Sequence, residues 1–188
     1  APYGENEYKT KVGPNTYLMK DKYIFVYQDV RGRYMSEGTF TNMTPQVERK
    51  TKKDVDESTD TFDSIEWLLK NVKGHNGRVG QSGISDPGFN TAAGMIDAHP
   101  ALKACSPQAP VIDWFVGDDF HHNGCLFLPH AFNFMSGFGK ERPEPTRKGA
   151  RISHDHDTPD GYQFFLDMGP LANADKKFLK GGISFWNE

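Results

Sequence analysis

Gly80-Gln81-Ser82-Gly83-Ile84-Ser85-Asp86-Pro87-Gly88 is the stretch on which the reading of this chain turns. It follows a charged, helix-like segment and precedes a run of small residues, Thr91-Ala92-Ala93-Gly94. A serine among glycines between a strand and a helix is the setting of a nucleophile elbow. The turn there is tight enough for bulky neighbours to clash, and glycine removes the clash and permits positive φ. Ser85 would then stand at the end of the strand, above unpaired N–H groups at a helix N-terminus. The same residues support a plainer reading. The strict elbow is Gly-x-Ser-x-Gly, this one is Gly83-x-Ser85-x-x-Gly88, and Ser-Asp-Pro-Gly suits a β-turn. Ser82 is a second candidate, but Gly83-Ile84 follows it where a helix should begin.

Outward from the elbow, the chain alternates strand and helix. Tyr23-Ile24-Phe25-Val26-Tyr27-Gln28-Asp29-Val30 is β-rich and apolar, and predicts a strand buried on both faces of a parallel sheet. Arg31–Gly38 follows as a loop, and residues 41–57 read as a polar surface connection. Ser58 to Val72 has the period of an amphipathic helix, with Phe62, Ile65, Leu69 and Val72 on one face. Ser58 or Asp60 is the expected cap, and Gly74 the stop. Arg78–Gly83 is the strand before the elbow, Gly88 to Ala98 the helix after it, and Ala101–Pro110 the next strand. This order predicts an α/β fold with a parallel sheet and crossover helices.

Beyond Val111 the composition changes. Residues 113–138 are dense in aromatics and histidines, among them His121, His122 and His130. Residues 139–160 are rich in Pro, Gly and charge and read as a loop, with helical pieces expected at 161–166 and 172–186. This half reads as an inserted cap.

The bulk numbers exclude some classes. The chain has 188 residues and a net charge of −3, which gives no reason to expect nucleic acid or an anionic membrane as partner. Two cysteines, Cys105 and Cys125, do not make a disulfide framework. His154-Asp155-His156-Asp157 carries metal-ligand residue types, but without cysteine or a helical His pair it reads as a solvated loop. No metal and no cofactor is expected. The ends, Ala1-Pro2 and Asn187-Glu188, read as cuts through a longer protein, so no cellular location is read from them.

Several segments then fit together in order: Ala1-Pro2-Tyr3-Gly4, Asp29-Val30-Arg31-Gly32-Arg33, Gly83-Ile84-Ser85 with Pro87-Gly88-Phe89, His99-Pro100-Ala101-Leu102-Lys103, and Gly117-Asp118-Asp119-Phe120. With them the chain resembles the X-Pro dipeptidyl-peptidase and cocaine-esterase-like (CocE-like) serine hydrolases, a group that includes α-amino acid ester hydrolases and cephalosporin or glutaryl acylases. The resemblance implies an α/β-hydrolase core, a helical cap inserted into it, and a C-terminal jelly roll. Residues 1–111 would be the first part of the core and 112–188 the cap, with the rest of the core and the jelly roll outside this sequence.

By the same resemblance Ser85 is the nucleophile, and Tyr3 and the backbone N–H of Asp86 form the oxyanion hole. Asp119, with Asp118 beside it, would bind the substrate's α-amino group. The acid and histidine of the triad would follow the cap, beyond residue 188. The implied activity is cleavage of an ester or amide (aminoester, acyl-amide or X-Pro peptide) through an acyl-enzyme. The alternative is a catalytically inactive fragment or pseudoenzyme that binds amines or peptides. The partner expected is a small ester, amide or short peptide, and a homo-oligomer is compatible with the sequence. Two departures stand out. Asp86 occupies a position where the family usually has tyrosine, and Ser82 and Asn90 are polar where larger residues are usual. Asp86 would oppose an oxyanion if its carboxylate pointed inward, and would otherwise cap the following helix.

Overall fold

The computed structural model describes residues 16–48, 51, 53–183 and 186. The chain divides into two compact units, Met43–Cys125 and Ala1–Asn42 with Leu126–Glu188.

The first of these carries the α/β layer. Its long helix, α2, spans Glu57–Asn71; α1 is a single turn, Thr16–Lys20, in the other unit. The cap of α2 is Asp56, not Ser58 or Asp60. The Asp56 side chain accepts from the Thr59 amide (2.9 Å), and the Thr59 hydroxyl receives the Asp56 amide (3.0 Å), a reciprocal capping box. Asp56 also accepts from the Val47 amide, which ties the incoming loop to the helix start. Ser58 instead donates to the carbonyl of Ile96 (2.5 Å). Ile65 is buried on the face the apolar period marks.

Strand β1, Val79–Ile84, pairs in parallel with β2, Leu102–Gln108, and α3, Asp86–Ala93, crosses between them. This is the strand–helix–strand unit of an α/β-hydrolase core. The polar character of β1 has a local use: the Gln81 side chain reaches the carbonyl of Asn90 in α3 (3.4 Å). Helix α3 stops at Ala93, five residues short of the expected end. Its C-cap, Gly94, sits where a Cβ would collide with the Gln81 and Thr61 side chains. His99 is buried at the entry to β2. One ring nitrogen lies 2.7 Å from Glu66 of α2, the other accepts the Ala101 amide, and the ring packs on Phe62 at 4.6 Å.

Residues 23–30 correct the sequence reading. They form no strand: among the described residues they join no ladder, and Tyr23, Ile24 and Val26 are exposed. An apolar β-branched run has strand propensity, yet only neighbours on both sides make it a buried strand. The loop after it is tightly built. Gly32 takes φ +71°, and a Cβ there would run into the backbone of Thr39 and Phe40, so the Asp29–Arg33 motif closes only with glycine at its fourth position.

Beyond Leu126 the regular structure described in that unit is helical. Helix α4 spans Leu128–Phe138 and α5 spans Gly161–Met168; a short turn, Ala172–Ala174, runs into a π-helix, Asp175–Leu179. Asp160 caps α5, accepting from the amides of Tyr162 and Gln163. Phe132 is fully buried, with the rings of Phe164, Phe165, Phe178 and Trp186 at 5.7–6.2 Å. Residues 139–160 are loop, as expected, but not all solvated: the His154 ring packs on Phe132 at 4.6 Å. The aromatic residues of three helical segments collect it, which a local reading of His-Asp-His-Asp could not see.

Candidate active site

Ser85 stands between the last residue of β1 and the first of α3 with φ 64° and ψ −123°. That backbone region is strained for any residue with a side chain and costs about 1–3 kcal/mol. The surroundings hold it there. The Ser85 amide donates to the carbonyl of Gln108 in β2 (3.0 Å), and its carbonyl accepts from Phe89 in the first turn of α3 (2.9 Å). Both glycines of Gly83-x-Ser85-x-x-Gly88 are explained by contact. A Cβ on Gly83 would overlap Pro87, and one on Gly88 would overlap the carbonyl of Gln108. Neither glycine has positive φ; that conformation falls on Ser85 itself. The extra residue relative to the strict motif is therefore accommodated, and the segment is a strand-to-helix elbow rather than a β-turn.

The Ser85 side chain is exposed and makes no capping hydrogen bond. Asp86 is the first residue inside α3, not its N-cap; that position belongs to Ser85. A carboxylate in the first turn is favoured by the helix dipole. Thr91, almost fully buried, donates to the carbonyl of Pro87 (2.8 Å) and braces the first turn. Ser82, the second serine, lies within β1 opposite Ser106, with no turn or helix start beside it. Gln81 is polar for a central strand, a feature to which the sequence alone assigns no role. It links strand and helix behind the serine.

Asp118 and Asp119 lie in the same unit, on a separate loop. The amides of Asn123 and Gly124 donate to the carbonyls of Val116 and Phe115, closing the loop at its base. The Asp113 carboxylate accepts from the amides of Phe115 and Val116, both at 2.9 Å, which holds it below the usual carboxylate range. Trp114 stacks on Phe120 at 5.4 Å, and His121 lies 2.6 Å from the Trp114 carbonyl. Asp119 is exposed on this loop, and the Asp118 carboxylate accepts its amide at 2.5 Å. No hydrogen bond joins either aspartate to Ser85. Tyr3 lies outside the described residues. His122 and His130 are exposed, with the His130 ring on Phe134 at 6.2 Å.

Residues 1–180, and with them the elbow and the aspartate loop, match the family described as X-Pro dipeptidyl-peptidase (S15 family). The chain belongs to the S15 family. A cocaine esterase from Rhodococcus sp. (strain MB1 Bresler) is 28% identical over 109 residues, covering 58% of this chain and 17% of the esterase. The solved structure of a selenomethionine-labelled α-amino acid ester hydrolase superposes with a TM-score of 0.76 at 34% identity, over 90% of this chain and 26% of that one. An aminopeptidase from a marine sediment archaeon, Thaumarchaeota archaeon, gives 0.75 at 34% identity, over 90% and 27%. This S15 chain thus spans about a quarter of the length of the solved relatives.

Proposed function

We propose that Ser85 is the nucleophile of a serine hydrolase that cleaves an ester or amide through an acyl-enzyme. The observation that carries this reading is the strained, exposed conformation of Ser85 at the junction of β1 and α3. In such a reaction the serine oxygen bonds to the substrate carbonyl carbon as a base takes its proton. The tetrahedral oxyanion collapses, the C–O or C–N bond breaks, and the leaving group departs with that proton. Water then releases the acyl group by the same steps in reverse order. His99 does not supply the base, because it is buried and committed to Glu66 and the Ala101 amide. The backbone N–H of Asp86, at the start of α3, is one oxyanion donor, and the Tyr3 hydroxyl, by family resemblance, the other. Each is worth about 3 kcal/mol in the transition state.

The substrate proposed is one with a free amino group near the scissile carbonyl. The names of the two solved relatives, an α-amino acid ester hydrolase and an aminopeptidase, support it. Asp119, with Asp118 beside it, would pair with that ammonium. A second reading rests on Asp86, which puts a carboxylate next to the proposed oxyanion donor: an inactive relative that binds amines or peptides. A fluorophosphonate probe on a protein that includes the triad acid and histidine decides between them. Labelling at Ser85, lost in Ser85→Ala, supports the hydrolase. An unlabelled protein that still binds an amino acid ester supports the binder.

A further inference from the structure

We propose that the loops around Arg33 and Arg142 form a binding site for a phosphate-class dianion, separate from the serine chemistry. The chain as a whole is acidic, yet residues 140–151 hold five basic residues against two acidic ones. Four cations, Arg33, Lys140, Arg142 and Lys148, line one small cavity of about 10 Å³ together with Tyr34 and Gly149. That space takes about one oxygen atom or water. Glu141 and Glu144 are close in sequence but do not line it.

Like charges collected around one point repel unless something opposes them. Among the described residues, none of the four cations forms an ion pair with a carboxylate. The two arginines donate to neutral carbonyls instead. Arg33 donates to the carbonyl of Phe138 at 2.9 Å, and its guanidinium lies 4.7 Å from the ring centres of both Phe40 and Phe138. Arg142 donates to the carbonyl of Ser36. Its Nε is buried and has no hydrogen-bond partner at all. A buried charged donor left unpaired costs more than a neutral one, and a guanidinium is shaped to give such a donor to an oxyanion.

The walls are preformed. Besides the two arginine contacts, the Thr146 amide donates to the carbonyl of Tyr34 (2.9 Å), so the 33–36 and 140–150 segments are already tied across the cavity. One oxygen of the anion would occupy the cavity that Arg33 and Arg142 line, with Lys140 and Lys148, both exposed residues, on its remaining walls. A dianion suits the site better than chloride or a carboxylate, because it opposes two charges and bridges several donors at once. The phosphate could be free or the terminal group of a small ester, and the two sources present the same oxygens.

Thermal unfolding and isothermal titration of the full chain at constant ionic strength test this, with inorganic phosphate, glycerol phosphate and chloride as three arms. Phosphate is expected to raise the melting temperature saturably, and chloride to leave it unchanged. Lys148→Glu and Lys140→Glu, both on exposed side chains, are expected to weaken phosphate at least tenfold while leaving fluorophosphonate labelling unchanged. Arg142→Gln is expected to abolish binding. Equal binding of glycerol phosphate would identify phosphate esters as the ligands, and binding of inorganic phosphate alone the free ion. Equal stabilisation by chloride, or phosphate binding unchanged in both lysine variants, would overturn the proposal.

Discussion

Gly83 and Pro87 meet across the elbow with no room for a side chain on the glycine: a Cβ there would stand 2.6 Å from the Pro87 Cβ and nearer still to its carbonyl. The obstacle is backbone, which cannot swing aside as a flexible side chain can. Gly83→Ala is therefore expected to destabilise the chain by about 3 kcal/mol or more, the upper part of the range for overpacking. Urea unfolding measures it. Gly137→Ala is the control, since a Cβ there meets nothing within 4 Å, and in the last turn of α4 alanine should stabilise by up to about 1 kcal/mol. Equal stability of Gly83→Ala and the parent would mean that the elbow is looser than described.

Ser85 holds its conformation at a cost that glycine would not bear. Ser85→Gly should unfold at higher denaturant than Ser85→Ala, by about 1 kcal/mol, because both lose the hydroxyl and only one loses the strain. Neither should react with a fluorophosphonate. If alanine proves as stable as glycine, φ 64° is not a strained position in solution.

The elbow was legible because its determinants are local: the glycines that touch Pro87 and Gln108 lie within three residues of Ser85. The α2 helix was legible from its period, but its cap was not. The capping box is Asp56 with Thr59, a pairing less familiar than serine with glutamate, and Ser58 and Asp60 carry cap residue types closer to the first apolar position, Phe62. The run 23–30 shows the limit of composition. Its residues favour a strand, but ladder formation depends on segments far along the chain. The basic cavity lies further still from local reading, because Arg33 and Arg142 are 109 positions apart (142 − 33) and meet only through folding.

Asp119 gives the proposed substrate preference a direct test. A charged hydrogen bond is worth about 1.5–3 kcal/mol, so Asp119→Asn should lower kcat/KM for an α-amino acid ester by roughly 10- to 100-fold. The matching ester without the amino group should be hardly affected. Parallel losses on both esters would instead assign Asp119 to holding the loop closed at Val116 and Asn123.

His154 predicts how stability depends on pH. Its ring lies among Phe132, Phe164 and Phe178, with His156 at 4.9 Å, and both ring nitrogens are buried without a hydrogen-bond partner. Burial pushes its pKa below the ordinary imidazole value, and a charge on His156 would push it the same way. The folded chain then holds fewer protons than the unfolded one wherever only the unfolded imidazole is charged. The contribution of His154 is fully present above about pH 6.5, the usual value, and is lost as pH falls through the lower folded value. Urea midpoints between pH 5 and 8 should decline on the acid side in the parent and decline less in His154→Phe, which keeps the ring and removes the titration. A variant whose acid decline matches the parent's would show that the proton is taken up elsewhere.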